Sequence, residues 1–186
     1  MVTLGVDEVG RGCWAGPLVA GAVALKAPIP GLRDSKKLSK KLRQEIAVVI
    51  QSQALSVSLG WVEPAEIDSL GLTKSVRLAM ERAVAQIQIK FDEIIVDGNF
   101  NFLANDPRSK AIIKADETVP SVSAASIIAK VARDAFMLQA ALRYPEYGFE
   151  KHVGYGTAFH LAALKRYSTC ALHRRSYRPI KAIITA

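Results

Sequence analysis

A mixed α/β sheet covered by helices is the fold class that the sequence predicts, and three observations carry it. Three strand-like stretches come early, separated only by a hairpin-length link or a short helix. Later strand-like stretches alternate with amphipathic helices, and no repeat or low-complexity segment interrupts the order. In 186 residues, half of them apolar, this suits one domain with a sizeable buried core.

Residues 2–9 alternate loosely as a first strand and end in the turn Gly10-Arg11-Gly12. After Gly16-Pro17, residues 18–25 read as a second strand, close enough to predict an antiparallel partner of the first. Pro28, Pro30 and Gly31 break the pattern, and a basic loop with Arg33, Lys36 and Lys37 follows. A helix is predicted over 39–53, with Ser39 as its N-cap and Leu42, Ile46, Val49 and Ile50 as its apolar stripe. Residues 55–62 alternate as a third strand. Leu72, Val76, Ala79, Met80, Ala83, Val84 and Ile87 keep helical spacing, which predicts a helix over 73–88. Residues 93–96 form a short strand ending in Asp97-Gly98, and 111–114 another ending at Asp116. A long small-residue helix over 121–143 is stopped by Tyr144-Pro145. A Gly/Tyr loop, a helix over 157–167 and a basic end complete the chain. The helical part from about Ser121 onward reads as an appended lobe.

Charge narrows the partner class. The net charge is +8, and residues 151–186 hold Lys151, Lys165, Arg166, Arg174, Arg175, Arg178 and Lys181 with no acid. The rest of the chain is nearly neutral. A one-sign segment suits a polyanion, because each cation that neutralises a phosphate releases a counterion. A solvated basic tail explains the same composition, so charge by itself assigns no chemistry. Cys13 and Cys170 lack metal-type spacing and point to a reducing compartment. The first strand follows Met1 without a basic n-region, and no uncharged run is long enough to span a bilayer. A cytoplasmic protein with no membrane association is expected.

The acids carry the chemistry. Asp7 and Glu8 end the first strand, Asp97 ends the fourth, and Asp116 follows the fifth. Carboxylates bordering a core are costly unless paired or bound to metal. Four acids without His or Cys ligands suit a hard cation such as Mg2+ or Mn2+. Paired cations are what a two-metal phosphodiesterase requires. Alone, Asp97-Gly98 reads as a hairpin turn and Asp116-Glu117 as a solvated loop, but Asp7-Glu8 opens an expected core. Neighbours on a strand point to opposite faces, so Asp7 and Glu8 share one site only if the strand end kinks near Gly10.

Gly10 to Ala15 also satisfies G-x-G-x-x-A, a dinucleotide fingerprint. That reading needs a helix to follow, whereas Gly16-Pro17 and a strand follow instead. The alternative is a loop whose glycines let backbone approach a sugar-phosphate strand and a ribose 2′-OH.

These residues resemble a known family, the type 2 ribonucleases H (ribonuclease HII). The matching segments begin at Asp7-Glu-Val-Gly-Arg-Gly-Cys-Trp-Ala-Gly-Pro, Asp34-Ser-Lys-Lys-Leu-Ser and Ile95-Val-Asp-Gly-Asn. They continue through Lys114-Ala-Asp with Ser121-Val-Ser-Ala-Ala-Ser-Ile-Ile-Ala-Lys-Val-Ala-Arg-Asp, then His152-Val-Gly-Tyr-Gly-Thr and His173-Arg-Arg-Ser-Tyr. They keep the family's order and cover nearly the whole chain, although Val153 stands where many bacterial members have Lys.

The resemblance implies a ribonuclease H-like fold: a mixed five-stranded sheet flanked by helices, with a helical C-terminal extension. It implies one catalytic domain over 1–186, in which 145–186 form a basic substrate-binding region. Asp7, Glu8, Asp97 and Asp116 would hold Mg2+ or Mn2+. Gly10, Arg11 and Gly12 would read the 2′-OH, Lys36 would contact phosphate, and Tyr155 would pack on the neighbouring deoxyribose. The implied reaction cuts 5′ of ribonucleotides in RNA–DNA hybrids and of single ribonucleotides in duplex DNA, leaving 3′-hydroxyl and 5′-phosphate ends. A monomer without an obligate protein partner is expected. Two rivals remain at this point: a non-catalytic binder of duplex nucleic acid, and a nucleotide-cofactor enzyme using Gly10 to Ala15. His152, His160 and His173 fit no common zinc motif and read as structural or phosphate-adjacent. Asp134, one helical turn from Lys130, reads as its ion-pair partner.

Overall fold

The computed structural model of the chain describes residues 1–32 and 38–185. Among these, one sheet contains β1 (Thr3–Val9), β2 (Leu18–Leu25), β3 (Ala54–Val62), β4 (Glu93–Asp97) and β5 (Ser109–Ile112). Their spatial order is β3-β2-β1-β4-β5. The β1–β2 and β2–β3 pairs are antiparallel, while β1–β4 and β4–β5 are parallel. The helices are α1 (Lys40–Gln53), α2 (Pro64–Leu70), α3 (Leu72–Ala85), α4 (Ala115–Thr118), α5 (Pro120–Arg143), α6 (Phe149–His152), α7 (Ala158–Tyr167) and α8 (Arg178–Ile184).

Strand alternation sorts the core into two layers. Leu4, Val6, Ala20, Ala22, Ile94 and Val96 pack with Val76, Ala79, Met80 and Ala83 of α3. On the other face, Val23 joins Ile46 and Ile50 of α1 and Ala124, Ile127 and Ile128 of α5. Both faces of the sheet are therefore covered, which is why β2 is a nearly unbroken apolar run. Each large side chain so buried contributes about 1.5–3 kcal/mol. Gly5 lies on the α5 face, and a Cβ there would overlap the backbone of Ser121 and Val122. Its missing side chain lets α5 lie directly on the central strand, and this closeness positions the site.

The structure departs from the sequence expectations at several points. Ser39 does cap α1, its hydroxyl accepting from Leu42 N at 3.2 Å, but the Leu42 side chain is exposed and Ala47 takes its place in the stripe. Two helices stand between β3 and β4, as the order of elements in the sequence predicts, but the first of them, α2, with Pro64 in its first turn, had no residues assigned to it. Strand β5 ends at Ile112, earlier than expected, so Asp116 stands in the first turn of α4 rather than at a strand end. Asp97-Gly98 is no hairpin turn, because β4 and β5 run parallel. The appended lobe does not begin at Ser121. The N-terminal half of α5 belongs to the sheet core, whereas Met137, Ala140 and Ala141 pack with Tyr147, Phe149, Leu164 and Ile180. The boundary between the two packing units falls inside one continuous helix.

Candidate active site

Parallel register brings the first two acids together. Val6 of β1 pairs with Val96 of β4, so Asp7 and Asp97 stand side by side where the two strands run out. Crevices at the carboxyl ends of parallel strands are recurrent ligand sites in α/β sheets. Both acids lie on the α5 face by alternation, Asp7 two residues beyond Gly5 and Asp97 two beyond Ile95, which packs on Val122, and Asp97 Oδ1 accepts from Asp116 N at 3.4 Å. Ser123 of α5 donates to the Asp116 carbonyl at 2.5 Å. Asp116 is thus brought in from α4 by its backbone, and its side chain is buried.

Glu8 approaches from the other side of the strand, as alternation requires. Its Oε1 accepts from Arg11 at 3.1 Å, and Gly10, in the left-handed region at φ 93°, turns the chain back to allow it. Burial pushes the Asp7 carboxyl well above its ordinary value, and the neighbouring charges of Glu8 and Asp97 push it further. Burial also raises Glu8, against the opposing pull of Arg11. A cluster of buried like charges is resolved by protonation or by a cation. The donors are all carboxylate oxygens, which suits a hard divalent ion. Among the described residues, no three acidic, His or Cys side chains are drawn into a closed metal cage. Mg2+ needs none, because it retains several waters and binds through one or two carboxylates. The residues present therefore fit the implied metal.

The Gly-Arg-Gly loop is fixed by two residues that sequence reasoning missed. Arg133 of α5 is fully buried and donates to the carbonyls of Pro17, Val153 and Ala15 at 2.8, 2.9 and 3.0 Å. Arg174, also fully buried, donates from Nε to Gly16 O at 3.0 Å and from Nη1 to Arg11 O at 3.0 Å. Tyr177 adds a bond from its hydroxyl to Arg11 O at 2.6 Å. Arg174 thus differs from the solvent-facing polyanion contact that its place in the basic segment predicted. One signal was legible: Ser123, Ser126, Lys130 and Arg133 recur at helical spacing, a polar stripe along an otherwise apolar helix. No helix follows Gly10 to Ala15; the loop runs into β2, which removes the geometry that a dinucleotide fingerprint requires.

Tyr155 is 43% exposed, and the Cys13 thiol beside it is buried. Lys130 sits 6.0 Å from its ring and pairs with Asp134 at 2.8 Å, the expected intrahelical partner. Gly12 is exposed beside Arg11. Lys36 falls outside the described residues.

Comparison with known proteins agrees with this architecture. The family model described as Ribonuclease HII matches residues 4–180. Ribonuclease HII of Nitrosococcus oceani is 47% identical over 184 residues, covering 98% of this chain and 91% of its own. Ribonuclease HII of Shewanella pealeana is 51% identical over 183 residues, covering 95% and 88%. The crystal structure of ribonuclease H2 from Pyrococcus horikoshii OT3 superimposes with a TM-score of 0.83 at 27% identity, covering 98% and 97%. With its relatives matching along almost its whole length, the chain belongs to the ribonuclease HII family, whose members are metal-dependent endoribonucleases.

Proposed function

We propose that the protein hydrolyses the phosphodiester on the 5′ side of ribonucleotides, both in RNA–DNA hybrids and as single residues embedded in duplex DNA. Asp7, Glu8, Asp97 and Asp116 are the metal-binding catalytic set. The observation that carries this reading is the register that sets buried Asp7 beside Asp97, both facing α5. These oxygens would hold Mg2+ or Mn2+, which when bound would supply water activation and charge stabilisation for the leaving 3′-oxygen. The chain's own residues do the rest. The Asp116 backbone amide orients the Asp97 carboxylate, and Arg11 restrains Glu8. Arg133 and Arg174 hold the backbone of residues 10–17 rigid, so that Gly10, Arg11 and Gly12 meet a ribose 2′-OH without reorganisation. Tyr155 offers a half-exposed ring for the adjoining deoxyribose, and Lys36 takes a backbone phosphate. Residues 145–186 serve as the duplex-binding region through their exposed cations, Lys165 and Arg166 among them. The protein acts in the cytoplasm, as a monomer and without an obligate partner.

The test is cleavage of a labelled DNA duplex carrying one ribonucleotide, against an all-DNA control, in Mg2+, Mn2+ or EDTA. Metal-dependent incision 5′ of the ribonucleotide is expected. Cleavage of long hybrid only would leave the acid site standing and remove the junction role of Gly10 to Gly12. No cleavage of either by folded protein would favour a non-catalytic binder.

A further inference from the structure

All three histidines of the chain lie in one buried cluster of the C-terminal lobe, outside the acid site. His160 Nδ1 faces the Tyr155 carbonyl at 2.9 Å, so that nitrogen carries the proton and Nε2 is left as an acceptor. His173 Nδ1 accepts from Cys170 N at 2.9 Å, so its proton sits on Nε2. The two free positions meet: His173 Nε2 lies 3.0 Å from His160 Nε2, a donor facing an acceptor. One assignment of tautomers satisfies every contact. His152 stacks on His160 with centroids 4.4 Å apart, donates from Nε2 to Tyr147 O, and accepts from Gly154 N at 3.2 Å.

We propose that His160 and His173 are positioning residues for substrate recognition: a one-way hydrogen-bond chain from the Cys170 amide through both imidazoles to the Tyr155 carbonyl aims the Tyr155 ring. The inference rests on the reading of Tyr155 as the sugar platform. Tyr155 is anchored by His160 at its carbonyl, and its own amide donates to His152 O at 2.9 Å, while the residue stays 43% exposed. The same segment grips the glycine loop, since Gly154 O accepts from Trp14 N at 2.8 Å and Ala15 bridges to His173. Burial holds His160 and His173 down to about 4, which keeps the chain of bonds neutral and intact at physiological pH.

Two near-isosteric variants separate positioning from mere packing. In His160→Asn the amide nitrogen stands near Nδ1 and keeps the bond to Tyr155 O. In His160→Gln the side-chain terminus reaches Nε2 and keeps only the contact with His173. Both are assayed on the single-ribonucleotide duplex with Mg2+, alongside thermal melting and the single-turnover rate at saturating enzyme. The expected result is a KM within about 2-fold of wild type for Asn and about 10-fold higher for Gln, with similar melting points and unchanged single-turnover rates. Equal KM values for the two variants overturn the inference. An unchanged KM in Tyr155→Ala removes the platform reading itself; a raised KM there, with Asn and Gln alike, removes only the relay. Long-range 15N–1H spectra of the imidazoles give an independent readout. His160 is expected as the Nδ1–H tautomer, and the Nε2–H tautomer would contradict the proposal.

Discussion

The acid cluster at the strand ends and the imidazole-guanidinium network of the C-terminal lobe are both buried and polar, yet they are built on opposite principles. In the first, like charges face one another and burial raises Asp7 and Glu8, so the cluster is electrostatically incomplete without a proton or a cation. In the second, Arg133 and Arg174 donate to backbone carbonyls of the glycine loop, and each histidine nitrogen has a partner. Unresolved charge is what binding and catalysis use. Complete satisfaction gives rigidity, which recognition of a single hydroxyl needs.

The sharpest way to break that contrast is Asp97→Asn. Removing a ligand oxygen costs several kcal/mol of transition-state stabilisation, so cleavage in Mg2+ should fall by at least ~10³-fold. The melting point should hold, because the mutation relieves repulsion. Wild-type turnover in this variant would refute the site assignment.

Next in size is Arg174→Met compared with Arg175→Met. The first leaves Arg11 and Gly16 carbonyls without their charged donor and should cost about 3 kcal/mol, or roughly 6–12 °C in Tm. The Arg175 side chain is exposed, and its backbone amide keeps the bond to Asp68, so its loss should shift Tm by less than about 1 °C. Equal shifts measured by calorimetry would show that the buried network carries no special load.

The smallest effect tests the sign of the two regions with pH. A raised Asp7 contributes stability that is present below its unfolded value and lost as pH rises through its folded value. His160 and His173, lowered from 6.5 to about 4, do the reverse: their contribution is present above 6.5 and lost as pH falls toward 4. In EDTA, Asp7→Asn should therefore melt about 2–4 °C above wild type at pH 8, with the gap closing as pH falls. Both proteins should still lose stability between 6.5 and 4. A gap independent of pH would mean that Asp7 is not held against its charge.

Much of the fold is readable in the sequence. Alternation in residues 2–9 and 18–25 predicts the hairpin at the sheet centre, and the 72–87 spacing predicts α3, because local periodicity reports which face is buried. The four acids were recognisable as carboxylates without a local purpose. Leu42 and Arg174 were misread for one shared reason: apolarity and charge report average preference, while burial depends on what a distant segment places opposite. The bounds of helix α2 and the true end of β5 were missed because seven and four residues are too few to establish a period.

By itself, the sequence determined the class of fold, and it singled out the four acids and the glycine loop as the candidate site. Residue type and local spacing are enough for these. Only the tertiary structure decided that Asp7 and Asp97 share the α5 face, that Asp116 enters from a helix, and that Arg133, Arg174 and the histidines brace the loop and Tyr155. Those relations join residues as much as 163 positions apart, such as Arg11 and Arg174, and they exist only once β1, β4 and α5 pack at a fixed register.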